Sequence, residues 1–439
     1  MSNYLNSLME YTAITGSNRV RKNDVAIIGM WGEFGPTKNP AQFWEALCQG
    51  KDLGRELPEI RAEDMENYLN AIGKMRQNIY YKHASYMEDI DQFDYSFFGI
   101  SPKEASLIDP SQRIFLQTVW HAIEDSGYST KSLMGKDVGI YIGYTDDMLY
   151  KQRVESVDPD SISIAIPGNV RSMMGGRIAY LLNLHGPSMV IDTACSSSLV
   201  AVHTACRAIQ DGDCELAIVG STKLFLNPLQ KDTQFLYGVM SEDDRTRSYD
   251  ASADGFGIGE GTGAIILKAL DKAIIDKDNI YAVIKGSAIT QDGASIGITA
   301  PNLEAQEEVL RRAWQAAGIA PEDIDYIEGH GTATTLGDAV ELQALGNMFR
   351  KSETTRKCFL GSVKSNIGHL DHAAGMAGLI KLLLMIKNKK IPPTVYFEKP
   401  NSLINTSNIP IQINSELLEW QSNNKVRTCC ISSFGISGT

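Results

Sequence analysis

Short, almost wholly apolar runs alternate along this chain with amphipathic stretches of roughly 12–16 residues, and no other feature narrows its fold as much. Residues 24–30, 138–144, 189–192, 216–220 and 264–270 read as strands in the first part of the chain, and 281–287, 325–328, 358–363 and 428–432 in the second. Helices are expected between them at 110–126, 169–184 (interrupted by Gly175 and Gly176), 195–210, 303–317, 337–349 and 372–386. The strand runs do not alternate apolar with polar, so both faces of their sheets must be covered. Strands punctuated by helices then mean an α/β protein. The order recurs in residues 24–275 and 276–439, which points to two similar halves without a residue-level repeat. Residues 1–23 are polar and read as a flank or linker, and the final loop SSFGISGT reads as part of a longer polypeptide.

Composition removes several classes of function. With 53 acidic and 41 basic side chains the formal charge is −12, which argues against a nucleic-acid binder. The apolar run at 379–386 is broken by Lys381 and falls short of the roughly 20 residues of a membrane span. The start lacks the apolar stretch of a secretory signal. Seven cysteines, an odd number without a C-x-x-C pair, suggest neither a disulfide framework nor a zinc ribbon. A reducing, cytoplasmic setting is expected.

Chemistry concentrates where strands end. In Asp192-Thr193-Ala194-Cys195-Ser196-Ser197-Ser198 a strand passes into a helix, which places Cys195 at a helix start. Free N–H groups and the positive end of the dipole favour a thiolate there. A small buried thiol is the alternative, and Cys206 is read that way. His330, in Glu328-Gly329-His330-Gly331-Thr332-Ala333-Thr334, and His369, in Lys364-Ser365-Asn366-Ile367-Gly368-His369, both follow a strand. Ligands of α/β folds gather at such places. A lone histidine of this kind is more often a hydrogen-bonded structural one, and two at equivalent strand ends shift the reading toward function. His369 and His372 are three apart, but no third ligand has metal spacing, and His372 is expected to pack at the next helix start. The glycine-dense Gly255–Gly263 matches a dinucleotide fingerprint only formally, because its strand follows instead of preceding. Close backbone approach to a ligand, or packing at a subunit boundary, is the better reading.

DTACSSSL at 192–199, EGHGTATTLGD at 328–338, KSNIGHL at 364–370 and SSFGISGT at 432–439, in that order, resemble the β-ketoacyl synthase (ketosynthase) family. FDYSFFGISPKEASLIDPSQR (93–113) and GPSMVIDTACSSS (186–198) are similar to ketosynthase domains of modular polyketide synthases or hybrid polyketide–peptide assembly lines. The resemblance spans residues 24–439 and implies the thiolase fold: two βαβ-type halves in a five-layered α/β/α/β/α core, as a homodimer. It implies that Cys195 accepts an acyl group from the phosphopantetheine arm of an acyl carrier protein. A malonyl-type extender on a second carrier protein then decarboxylates, and its enolate attacks the thioester. His330 and His369 would stabilise the enolate, and the N–H groups of Cys195 and Phe434 would form a second oxyanion hole. Phe434 would also gate the cysteine. Lys364 and Glu341, matching the family's Lys–Glu pair, and Asn366 would support the site, and Thr332 and Thr334 would contact the pantetheine arm.

No resident cofactor or metal is implied, and the partners would be carrier proteins and further synthase domains. Carrier proteins are typically acidic, so docking on this acidic chain would need a local basic surface. Arg19, Arg21 and Lys22, or Lys387, Lys389 and Lys390, are candidates, with ordinary solvated charge as the alternative for either set. Three departures from the family pattern stand out: Ala333 replaces a usual glycine, Gly257-Ile258 alters the glycine loop, and GMWGEFGPT brings in Trp31. Some assembly-line ketosynthases lack the first histidine and only pass acyl groups on. The presence of His330 favours condensation over that alternative, over a non-catalytic thiolase-fold subunit, and over a Cys–His hydrolase.

Overall fold

In the computed structural model, which describes residues 24–74, 81–145, 148–227, 239–352, 356–401, 409–421 and 426–439, the apolar runs form two main sheets. The first contains β1 (Val25–Phe34), β2 (Val138–Gly143), β3 (Ser188–Ile191), β4 (Leu216–Lys223), β5 (Gly261–Ala269) and β6 (Ala282–Ile284), in the order β3-β2-β4-β5-β1-β6. Strands β3, β2 and β4 run parallel, whereas β5 is antiparallel to both β4 and β1. The second sheet is parallel throughout, in the order β9-β8-β7-β10, with β7 at Tyr326–Glu328, β8 at Cys358–Gly361, β9 at Ile411–Ile413 and β10 at Cys429–Ile431.

Strand periodicity explains why these runs are apolar at every position. Val25 and Ile27 of β1, Ala217 and Val219 of β4, and Ile265 and Leu267 of β5 point into one core. Their neighbours Ala26, Ile28, Leu216, Ile218, Ala264 and Ile266 point into another. Successive residues of a strand face opposite ways, so both faces are dry. The first core is filled by two central helices, α4 (Ser197–Asp211) and α7 (Ala374–Asn388). The second is closed by α1 (Pro110–Asp125) and α3 (Ser172–Leu182), which follows α2 (Ile162–Asn169). The outer face of the second sheet is covered by α5 (Leu303–Ala317) and α6 (Thr335–Arg350) through Leu310, Trp314, Leu342, Leu345 and Phe349. The result is the five-layered α/β/α/β/α arrangement of the thiolase fold, with α4 and α7 in the middle layer.

Three expectations change. The helix expected over 169–184 is shorter: Asn169 ends α2, its Nδ2 donating to the carbonyls of Ala165 and Leu107, Val170 is extended, and α3 runs only from Ser172 to Leu182, with both glycines inside it. Strand β6, placed by its position in the second half, is bonded to β1 of the first sheet, so sheet membership does not follow the boundary at 275. The glycine loop makes its close backbone approach to the turn that carries His369. Gly259 N–H donates to the carbonyl of His369 (3.2 Å), and a Cβ on Gly259 would stand 2.0 Å from the carbonyl oxygen of Ile367. Only glycine lets that loop press against the histidine turn. An apolar cavity of about 580 Å³ separates β6 from β10 and is lined by Ile284, Trp314, Leu383 and Ile431 among others. No helix among the described residues is long and apolar enough to cross a membrane. The polar flank at 1–23, with Arg19, Arg21 and Lys22, lies outside the described residues.

Candidate active site

Cys195 sits in the turn between β3 and α4, directly ahead of the helix N-cap Ser196. Thr193 N–H donates to Ser197 Oγ (2.9 Å), and Ser196 Oγ donates to the Thr193 carbonyl (2.9 Å), which folds the turn on itself. Ala194 holds φ = +54°, and Ser433 Oγ donates to the Cys195 carbonyl (2.7 Å), tying the C-terminal loop to the turn. A Cβ on Gly143 of β2 would stand 2.5 Å from the backbone nitrogen of Ser198, so glycine is required where the start of α4 crosses the sheet.

The two histidines arrive from the second sheet. His330 follows β7, and its backbone N–H donates to Glu341 Oε1 (2.7 Å) while Gly331 N–H donates to Oε2 (2.9 Å). Tyr249 hydroxyl donates to the same carboxylate (3.0 Å). Glu341 therefore shapes the loop carrying His330. It makes no ion pair with Lys364 among the described residues, so their coupling acts through space. His369 is buried, its N–H donates to the Gly257 carbonyl (2.7 Å), and its Nδ1 accepts the backbone N–H of Asp371 (3.0 Å). The proton of a neutral ring must then sit on Nε2, making that nitrogen a donor. The His330 and His369 rings meet edge to face with centroids 5.7 Å apart, and Phe434 stands 5.6 Å from His330. His330 Nδ1 is buried without a hydrogen-bond partner among the described residues.

Electrostatics keeps the two imidazoles neutral. Burial, then Lys364, pulls His330 well below the usual imidazole range and His369 down to about 3. Burial also lowers the Lys364 ammonium. The thiol corrects the expected thiolate: burial first, then the Asp371 carboxylate, pushes Cys195 up to about 12, against Lys364 and the N–H of Ile436. Cys195 precedes the N-cap of α4.

The remaining expected residues divide. Thr332 and Thr334 lie together with hydroxyls 3.2 Å apart beside His330. Asn366 is buried and acts within the scaffold, its Nδ2 donating to the Lys51 carbonyl (2.9 Å). His372 packs at the start of α7, its Nε2 2.7 Å from the Thr222 carbonyl oxygen. In the candidate basic stretch, Lys390 pairs with Glu419 (3.5 Å) and Lys387 lies over the Tyr281 ring. Sequence reasoning missed Tyr249, Ser433, Lys223 and Asp371. Of these, Asp371 left a signal as the first charged residue after the second histidine motif, and Ser433 as part of SSFGISGT.

A cysteine at a strand-to-helix turn of the first half, joined through Asp371 to one of two imidazoles in edge-to-face contact from the second, is the arrangement of the thiolase-fold condensing enzymes as a class. Residues 22–273 match the beta-ketoacyl synthase N-terminal domain and residues 281–398 its C-terminal domain. The chain belongs to the β-ketoacyl synthase family and is of the ketosynthase type found in polyketide synthases. It is 40% identical over 421 residues to polyketide synthase PksL of Bacillus subtilis, covering 94% of this chain and 9% of that protein. It is 38% identical over 420 residues to erythronolide synthase EryA3 of Saccharopolyspora erythraea, covering 94% of this chain and 13% of that one. The chain thus spans a small part of these relatives. Among solved structures, the ketosynthase from module 6 of the bacillaene synthase of Bacillus subtilis superposes with a TM-score of 0.84 at 38% identity, over 94% of this chain and 70% of that one. Ketosynthase twelve of the bacillaene polyketide synthase of Bacillus amyloliquefaciens gives 0.85 at 34%, over 95% and 74%.

Proposed function

We propose that this domain joins an acyl chain carried on Cys195 to a malonyl-type extender on an acyl carrier protein by decarboxylative Claisen condensation. The observation that carries this reading is the pair of neutral imidazoles in edge-to-face contact, one with its Nε2–H fixed as a donor. Decarboxylation builds negative charge on the extender's thioester oxygen, and one well-placed donor to such an oxygen is worth about 3–4 kcal/mol. Cys195 Sγ attacks the incoming thioester. The N–H groups of Cys195 and Phe434 stabilise the tetrahedral oxyanion, and the carrier thiol leaves with the proton that the cysteine gave up. The extender then loses carbon dioxide, and its enolate carbon takes the acyl group from Cys195 as the C–S bond breaks, the departing sulfur regaining a proton from water. Thr332 and Thr334 line the approach of the pantetheine arm, and Phe434 screens the sulfur beside His330.

We further assign a homodimer built on β3, an edge strand among the described residues, where Met189 is exposed, as are Ile164, Ile166, Met173 and Tyr180 of α2 and α3. The other partners are carrier-protein and further synthase domains of a polyketide assembly line. Single-turnover mass spectrometry with acyl and malonyl carrier proteins tests the reaction. The expected product is a β-ketoacyl carrier protein two carbons longer, with release of carbon dioxide. Acylation of Cys195 without carbon dioxide release would instead identify a domain that transfers or gates chains without elongating them.

A further inference from the structure

Asp371 stands beside the nucleophile, yet its side chain has no part in the reaction described so far. It begins a single 3₁₀ turn, Asp371–Ala373, between His369 and α7, and its backbone N–H fixes His369. Its Oδ1 lies 3.7 Å from Cys195 Sγ. Its Oδ2 takes the ammonium of Lys223, the last residue of β4, at 3.1 Å, and stands 3.9 Å from His372 Nδ1. Lys223 in turn lies over the Phe225 ring, 5.1 Å from its centroid. The lysine side chain is 16% exposed and the aspartate side chain 42%. The pair is therefore a polar strip beside the sulfur, anchored on its lysine end and with carboxylate surface left free for a ligand.

We propose that Asp371, held by Lys223, selects acyl chains that carry a hydroxyl on the second carbon beyond the thioester carbonyl. An acyl chain bonded to Sγ leads away past the groups that touch the sulfur, and a carboxylate oxygen at 3.7 Å is within reach of substituents on that carbon. A β-hydroxyl donates to Oδ1 while Oδ2 stays on the lysine, so the ion pair is kept and a charge-assisted hydrogen bond is added. A saturated chain sets methylenes against the same oxygen and drives water from it without replacing the hydrogen bond. A site built to accept a hydroxyl rejects the chain lacking one for that reason. Because the carboxylate is already paired and partly open to water, the discrimination is about tenfold rather than the far larger factors of a sealed site. The hydroxyl takes no part in bond making, and Asp371 acts on which chain is loaded.

The inference rests on Cys195 as the acyl acceptor. β-Hydroxybutyryl-pantetheine and butyryl-pantetheine are offered in competition to the 439-residue chain, and the two acyl forms of Cys195 are counted by peptide mass spectrometry. The hydroxylated chain is expected to load about tenfold faster. The readout is a ratio, so a general loss of activity or stability does not imitate the effect. Asp371→Leu, which is close in size, abolishes the preference. The double variant Asp371→Leu, Lys223→Met removes the pair without leaving a charge behind, and it loads the butyryl chain at least as fast as the hydroxylated one. Equal loading by the parent, or a preference for the hydroxylated chain that survives in either variant, overturns the inference and leaves Cys195 as the acceptor. No acylation of Cys195 by either thioester overturns both. If one variant does not fold, the other decides by the same ratio.

Discussion

At the scale of single residues, Ala333 shows how a small change in a motif is felt. Its φ of +58° lies in the left-handed region, where an L-residue other than glycine costs roughly 1–2 kcal/mol. Its amide still donates to Asp338 Oδ1 (3.0 Å). Replacement by glycine relieves the strain while giving up a buried methyl group and adding freedom to the unfolded chain. Ala333→Gly is therefore expected to be neutral or to stabilise by at most about 1 kcal/mol, read from the urea midpoint, whereas the same change in relaxed backbone costs about 1 kcal/mol. The histidines make a second residue-level prediction. His369 and His372 titrate near 3 and 4 in the folded chain, and His330 also titrates well below its ordinary 6.5. Between 6.5 and those values the unfolded chain binds protons that the folded chain refuses. The stability these rings contribute is thus complete above pH 6.5 and is lost as pH falls, by up to about 1.4 kcal/mol per unit for each ring. Denaturation midpoints should drop steeply below pH 6, while the condensation rate shows no histidine titration between pH 6 and 8.

At the scale of elements, the lysine that breaks the apolar run of α7 ties that helix to the strand beneath His330. Lys381 is 1% exposed, and its ammonium meets Glu328 Oε2 (2.7 Å) and the Tyr326 hydroxyl (2.9 Å). Glu328, at the end of β7, also accepts Val363 N–H (2.5 Å) with its other oxygen. Removing one charge from such a buried pair strands the other and costs about 3–5 kcal/mol. Lys381→Met is expected to lose that much by chemical denaturation, and a second change, Glu328→Gln, to recover most of it. Element positions are largely legible in the sequence: the helix at Leu303–Ala317 can be read to the residue, because its Asn302 cap and Gly318 stop are local signals. The trio proposed for catalysis is legible for the same reason, each member lying in a short motif at a strand end. Partnerships made across the fold are not. Lys223 and Asp371, whose ion pair stands beside Cys195, are 148 residues apart. The motifs pair the Glu341 carboxylate with a lysine, whereas backbone amides occupy it, and no motif displays those.

At the scale of the whole molecule, β3, an edge strand among the described residues, and the exposed apolar side chains of α2 and α3 set the expected assembly. Sedimentation should give twice the mass of one 439-residue chain, and Met189→Asp should yield a folded species of half that mass. A parent protein that sediments as one chain at micromolar concentration would remove the dimer assignment. The space between β6 and β10 has a different consequence. Its walls are aliphatic and aromatic, and neither flanking strand has a neighbour on that side among the described residues. Fluorescent dyes that seek greasy crevices will therefore bind this domain in its native state, and their brightness cannot serve as a gauge of unfolding.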